Sequence, residues 1–191
     1  RGGVYKGQAG YGGGMFNWDD SSPALTKCTF TSNSADYYGG GMFNYYGASP
    51  TLADCTFTSN SANGNGGGMQ NYISSSPTLA NCTFTKSLAT SDGGGIYNFN
   101  SSSPALATCT FTSNSTVNFG GGMLNNSSSP TVTSCTFEDN SANKGGGMLN
   151  ENSSSPTLTG CTFTGNSAFA GGAMSNRSTS SPALANCTFT N

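Results

Sequence analysis

Histidine is absent from this chain of 191 residues, and only 7% of its residues carry charge. Without imidazole, and with six Lys and Arg against eight Asp and Glu, it holds few groups suited to proton transfer near neutral pH. A net charge of -2 and scattered basic residues supply no phosphate-binding patch, which argues against nucleic acid as a partner. No apolar run approaches the roughly 18 residues that cross a bilayer, so no membrane span is expected. No signal peptide is visible. The first residue is Arg1 rather than Met, as in a processed product or a fragment, and this leaves export open.

What the sequence does have is periodicity. Cysteines fall at 28, 55, 82, 109, 135, 161 and 187, a spacing of 27 and then 26 residues, and a proline stands five residues before each of them. A fixed period of this size signals stacked supersecondary units. Aligned on Cys, the repeat reads close to "SSSPTLANCTFTSNSA…GGGMxN". Met15, Met42, Met69, Ile96, Met123, Met148 and Met174 each precede an asparagine by two residues: Asn17, Asn44, Asn71, Asn98, Asn125, Asn150 and Asn176.

Gly triplets, Pro and runs of Ser, Thr and Asn disfavour helix. In "CTFT" the Cys and Phe face one way and the threonines the other, as in a half-buried strand. "GGGMxN" and "PTL" supply two further extended pieces. The expected fold is all-β: a right-handed single-stranded parallel β-helix, a β-solenoid of about seven coils with three short strands per coil. The chain 1–191 is expected to be one domain, with 1–27 a divergent first coil and 28–191 regular.

In a coil of this kind each residue stacks on its counterpart about 4.8 Å away. Cysteine then serves as a small inward apolar residue beside Phe, Leu and Met. Seven equivalent copies argue against a disulfide framework, and the missing histidine argues against zinc. No cofactor or metal site is expected. The asparagines are expected to form a ladder of stacked amides, and the glycines to permit close backbone approach.

These motifs resemble a known family. "FTSN" at Phe30 to Asn33, Phe57 to Asn60 and Phe111 to Asn114, "FEDN" at Phe137 to Asn140 and "FTGN" at Phe163 to Asn166 are similar to the FxxN motif of chlamydial polymorphic outer-membrane protein repeats. The "GGGM" blocks and "GGAM" at Gly171 to Met174 resemble the GGA[ILV] motif of the same repeats. The third coil departs from the pattern with "FTKS" at Phe84 to Ser87. The resemblance implies a secreted or surface-displayed adhesin or stalk, extracellular or cell-surface in location.

Parallel β-helices also host polysaccharide lyases and hydrolases, whose chemistry needs converging carboxylates. The acids here are Asp19, Asp20, Asp36, Asp54, Asp92, Glu138, Asp139 and Glu151. They occupy different phases of the repeat and are expected at different corners, so no catalytic residue is assigned and no enzyme is expected.

Function is then expected on three outer surfaces. Two threonine columns, Thr29, Thr56, Thr83 and Thr110 with Thr31, Thr58, Thr85 and Thr112, are similar to the TxT face of insect ice-binding β-solenoids, although strand propensity alone favours Thr there. Phe16, Phe43 and Tyr97, with Trp18, Tyr45, Tyr72 and Phe99, are expected to point outward as an aromatic contact surface for glycans or another protein. Asn100, Asn126 and Asn152 begin N-x-[ST] sequons at a Ser-rich corner and are candidate glycosylation sites. The expected partners are glycans, a host or neighbouring surface, or further copies of the chain, associated laterally or end to end.

Overall fold

The computed structural model describes residues 10–190, and its chain winds through parallel sheets with no helix. It is a right-handed parallel β-solenoid of about seven coils, with three sheets of seven strands and one of six. One coil shows the pattern: Met42–Tyr45, Thr51–Ala53, Thr56–Thr58 and Ser61–Ala62. The fourth strand corrects the expectation of three. Ser61 and Ala62 pair with Ser34 and Ala35 below and with Leu88 and Ala89 above, although a two-residue segment shows no alternation long enough to be read as a strand. The start of the divergent first coil, residues 1–9, lies outside the described residues.

Registration is by like residue throughout. Met42 pairs with Met69 and Asn44 with Asn71 in the first sheet, Leu52 with Leu79 in the second, and Phe57 with Phe84 in the third. The core is therefore a set of columns. The phenylalanines stack with ring centroids 4.6 to 5.0 Å apart and planes within 8°, and Leu, Met and Cys columns fill the remaining space. Such side chains contribute roughly 1.5–3 kcal/mol each on burial, before the cost of ordering the chain is counted.

Buried polar columns close the coil. In the first sheet Asn17, Asn44, Asn71, Asn98 and Asn125 each donate through Nδ2 to Oδ1 of the next asparagine at 2.8 Å. Asn60, Asn114, Asn140 and Asn166 form a second column, each Nδ2 donating to the carbonyl of a phenylalanine one coil below. Ser87 interrupts this column, and its buried Oγ has no hydrogen-bond partner. At the Ser-rich corner, backbone N–H groups donate to hydroxyls one coil away, as from Ser102 to Ser128 and from Ser103 to Ser76. Buried backbone groups need such partners, so this corner is part of the framework as well as surface.

The thiols are structural. Cys55, Cys82, Cys109, Cys135 and Cys161 are buried, and all seven cysteines are free. Burial raises the Cys55 and Cys161 thiols above their usual value, the contact with Cys135 pushes Cys109 up to about 12, and the contact with Cys109 raises Cys82. A protonated thiol is a poor nucleophile and metal ligand.

The glycine triplet carries the chain back across the first sheet. Gly39 has φ of 65° and a Cβ on it would meet Phe43 Cβ at 2.8 Å; one on Gly40 would meet the Ser61 carbonyl oxygen at 2.3 Å. Just before each triplet a residue pairs with its neighbours one coil away, as Tyr11 with Tyr38 and Tyr38 with Asn65. These residues form an arch over the outer face of the first sheet.

Candidate functional site

The arch changes the expected aromatic surface. Phe43 is 4% exposed and Tyr97 7%, so the column one residue beyond Met is covered rather than presented, and Phe16 is half-buried. Alternation correctly turns these side chains away from the main core, but it gives no sign of what lies above them. Tyr11 lies 5.7 Å from Phe43 and Tyr38 5.9 Å, ring centre to ring centre. In later coils Tyr97, Leu124 and Leu149 make a separate small core with Phe99 and Phe119 against it. Tyr97 is thereby withdrawn as a contact residue, and Phe43 keeps a place only as a wall of the cleft beside it.

The next outward column holds the accessible rings. Trp18 is 47% exposed, and Tyr45, Tyr72 and Phe99 are half-buried. Tyr45 and Tyr72 lie 5.6 Å apart, Tyr72 and Phe99 5.1 Å. With Tyr11, Phe16, Tyr38 and Phe43, the first three members of this column line a cleft of about 530 Å³. Tyr37 and Tyr46, 53% and 54% exposed, belong to the same early coils. Sequence reading missed Tyr11, Tyr37, Tyr38 and Tyr46; the signal for three of them was the tyrosine run "DYYGGG" and the "YGGG" of the first coil, placed just before the triplets that form the arch.

Toward later coils the same column turns polar. Asn126 Nδ2 donates to Glu151 Oε1 at 2.8 Å, and Arg177 Nε to Glu151 Oε2 at 2.7 Å, with Arg177 Nη2 on the same oxygen. The guanidinium lies 4.1 Å from the centre of the Phe119 ring. Glu151 and Arg177 both act electrostatically on Asp92 of the arch, whose carboxyl is held above its usual value chiefly by burial. Asp19, Asp20, Asp36, Asp54, Glu138 and Asp139 are exposed. Asp19 and Asp20 occupy a left-handed turn, with φ of 57° and 58°.

The threonine columns form the outer face of the third sheet, with Thr29, Thr56, Thr83 and Thr110 in register, as are Thr31, Thr58, Thr85 and Thr112. Thr29 and Thr31 are exposed, the others half-buried. Thr112 pairs next with Glu138, which breaks the second column. Among the sequon asparagines, Asn100 and Asn152 are exposed with φ of 54°. Asn126 is committed to Glu151 and also accepts from Asn152 Nδ2 at 3.0 Å. Among the described residues no helix is long and apolar enough to cross a membrane, and no three His, Cys, Asp or Glu side chains converge as metal ligands.

The family comparison agrees with this geometry. The model of the right-handed β-helix region matches residues 13–191, and the chain belongs to that family. No curated protein and no solved structure matches it.

Proposed function

We propose that the protein is a non-enzymatic structural and adhesive element of the cell exterior, a stalk or fibre unit that presents its early-coil aromatic cleft to neutral glycans. The observation that carries this reading is the concentration of rings there: Trp18, Tyr37 and Tyr46 are about half exposed beside a cleft walled by Tyr11, Tyr38, Tyr45 and Tyr72. Aromatic faces take the apolar faces of sugars, and phenol hydroxyls their polar rims. Asp19, Asp20 and Asp36 adjoin these rings in sequence and favour neutral hydroxylated ligands over anionic ones. The FxxN-like and GGA-like motifs support surface display of the adhesin or stalk kind.

Regular like-on-like registry supports stacking as well. In the last coil Leu184 is 47% exposed and Phe189 44%. A further coil, from the same polypeptide or from a second copy, would continue their columns. The test of the adhesive reading is binding to an array of neutral oligosaccharides by the protein and by a Trp18→Ala, Tyr45→Ala variant. Selective binding that weakens about tenfold or more in the variant supports it; equal binding by both, or none by either, refutes it.

The in-register threonine face favours one alternative, an ice-binding solenoid. Thermal hysteresis abolished by Thr110→Tyr would establish that reading in place of the first.

A further inference from the structure

The layer beneath the arch is aromatic in the first, second and fourth coils, with Phe16, Phe43 and Tyr97, and apolar in the fifth and sixth, with Leu124 and Leu149, but the third coil carries Gln70. Gly66, at φ of 67°, rests on Gln70, with its would-be Cβ 2.7 Å from Gln70 Cβ. Asn65 precedes Gly66, and Gly66 N donates to the Asp92 carbonyl at 2.9 Å, which puts Asp92 on the next rung of the arch. Gln70 is 1% exposed and pairs with Phe43 on one side and Tyr97 on the other. A glutamine thus interrupts a column of Phe, Tyr and Leu, at the place where the arch above it also turns from Tyr to Asn and Asp.

Asn65 Oδ1, Gln70 Oε1 and Asp92 Oδ1 are buried here without a hydrogen-bond partner. The one other such side-chain atom among the described residues is Ser87 Oγ, in the gap of the second asparagine column. The partner of Asp92 is on its other oxygen: Ser91 Oγ donates to Oδ2 at 3.2 Å. Buried acceptors without donors are costly and uncommon, and three within two adjacent rungs call for a shared partner. A single water has two protons to donate, so it leaves one of three acceptors unmet. A hard cation satisfies all three at once.

The geometry points to a calcium site between the arch and the first sheet, with Asn65 Oδ1, Gln70 Oε1 and the Asp92 carboxylate as its protein ligands. Two amide oxygens and one carboxylate are the ligand chemistry of Ca²⁺, which tolerates irregular coordination and completes its shell with water, whereas Mg²⁺ demands a near-ideal octahedron. The absence of histidine excludes a zinc-type site and has no bearing on an all-oxygen one. Glu151 and Arg177 lie within electrostatic reach of Asp92 but form an ion pair with each other, so neither supplies a free charge to the site. With a single carboxylate, affinity belongs to the weak range on the order of 10⁻⁴ to 10⁻³ M seen in extracellular modules. The site would pin the arch to the sheet at the third coil, where Gln70 stands in place of the aromatic side chains on either side of it.

Terbium, a luminescent Ca²⁺ substitute, tests this directly, because Tyr97 is the register neighbour of Gln70 and serves as the energy donor. The protein should show saturable tyrosine-sensitised terbium emission that Ca²⁺ displaces and equimolar Mg²⁺ does not, together with a higher Tm in CaCl₂ than in EDTA. Asp92→Asn and Gln70→Leu should each weaken terbium binding by about tenfold or more and abolish the Ca²⁺-dependent rise in Tm. Gln70→Leu keeps the test valid if the other variant fails to fold, since Leu124 and Leu149 already fill this column in later coils. Absence of sensitised emission, or emission and a Tm rise unchanged in folded Gln70→Leu, would overturn the site and leave the three oxygens to water.

Discussion

Ser87 shows how far one side chain matters in a columnar protein. Its neighbours in the column bond from coil to coil, and Ser87 breaks the chain of amides while its own Oγ goes unsatisfied. Ser87→Asn restores an Nδ2 for the Phe57 carbonyl and an acceptor for the coil below. It is expected to stabilise by about 1 kcal/mol, a rise in Tm of roughly 2–4 °C for a chain of this size, measured by thermal denaturation. Thr108 is a second such residue. It holds φ of 52°, a left-handed conformation that penalises a β-branched side chain, in a column where Asn81 and Asn186 hold φ of 58° and 54°. Thr108→Asn is expected to stabilise by about 1 kcal/mol, read from the urea midpoint at unchanged m. The cysteines give a chemical check. Iodoacetamide at pH 8 should modify the half-buried Cys28 and Cys187 in the native protein and reach the five buried thiols only on unfolding, as mapped by mass spectrometry of peptides. Rapid native labelling of Cys82 or Cys109 would contradict their place in the core.

Among the elements, the strands were legible and the arch was not. Period, inward Cys, Phe, Leu, Met and Asn, and parallel stacking all follow from alternation within a fixed repeat, because each rung copies the last. The fourth strand escaped because two residues carry no period. The arch escaped because its residues, Tyr11, Tyr38, Asn65, Asp92, Phe119 and Lys144, pair through isolated bridges and differ in kind from coil to coil. Alternation therefore turns Phe43 and Tyr97 outward without showing that the arch buries them. The glycines that shape the arch are expected to be the least replaceable part of the coil. A Cβ on Gly94 would lie 2.5 Å from the carbonyl oxygens of both Gly121 and Ser115. Gly94→Ala is expected to cost about 3 kcal/mol or more, seen as a fall in Tm or as loss of folded protein.

At the scale of the molecule, the columns of core residues run through every coil, while the surface is differentiated along its length. Aromatic rings gather in the early coils and the Glu151, Arg177 and Asn126 cluster in the late ones. The proposed stalk would use the aromatic end as its contact surface. The framework is what a repeat makes readable; the cleft is not, because it is built from the residues that break the repeat. Electron microscopy of the protein over a range of concentrations tests the structural role most directly. Stacking through the ladders predicts rods that lengthen with concentration into filaments with an axial repeat of about 34 Å, seven coils at about 4.8 Å. Particles that remain single short rods at every concentration would contradict it.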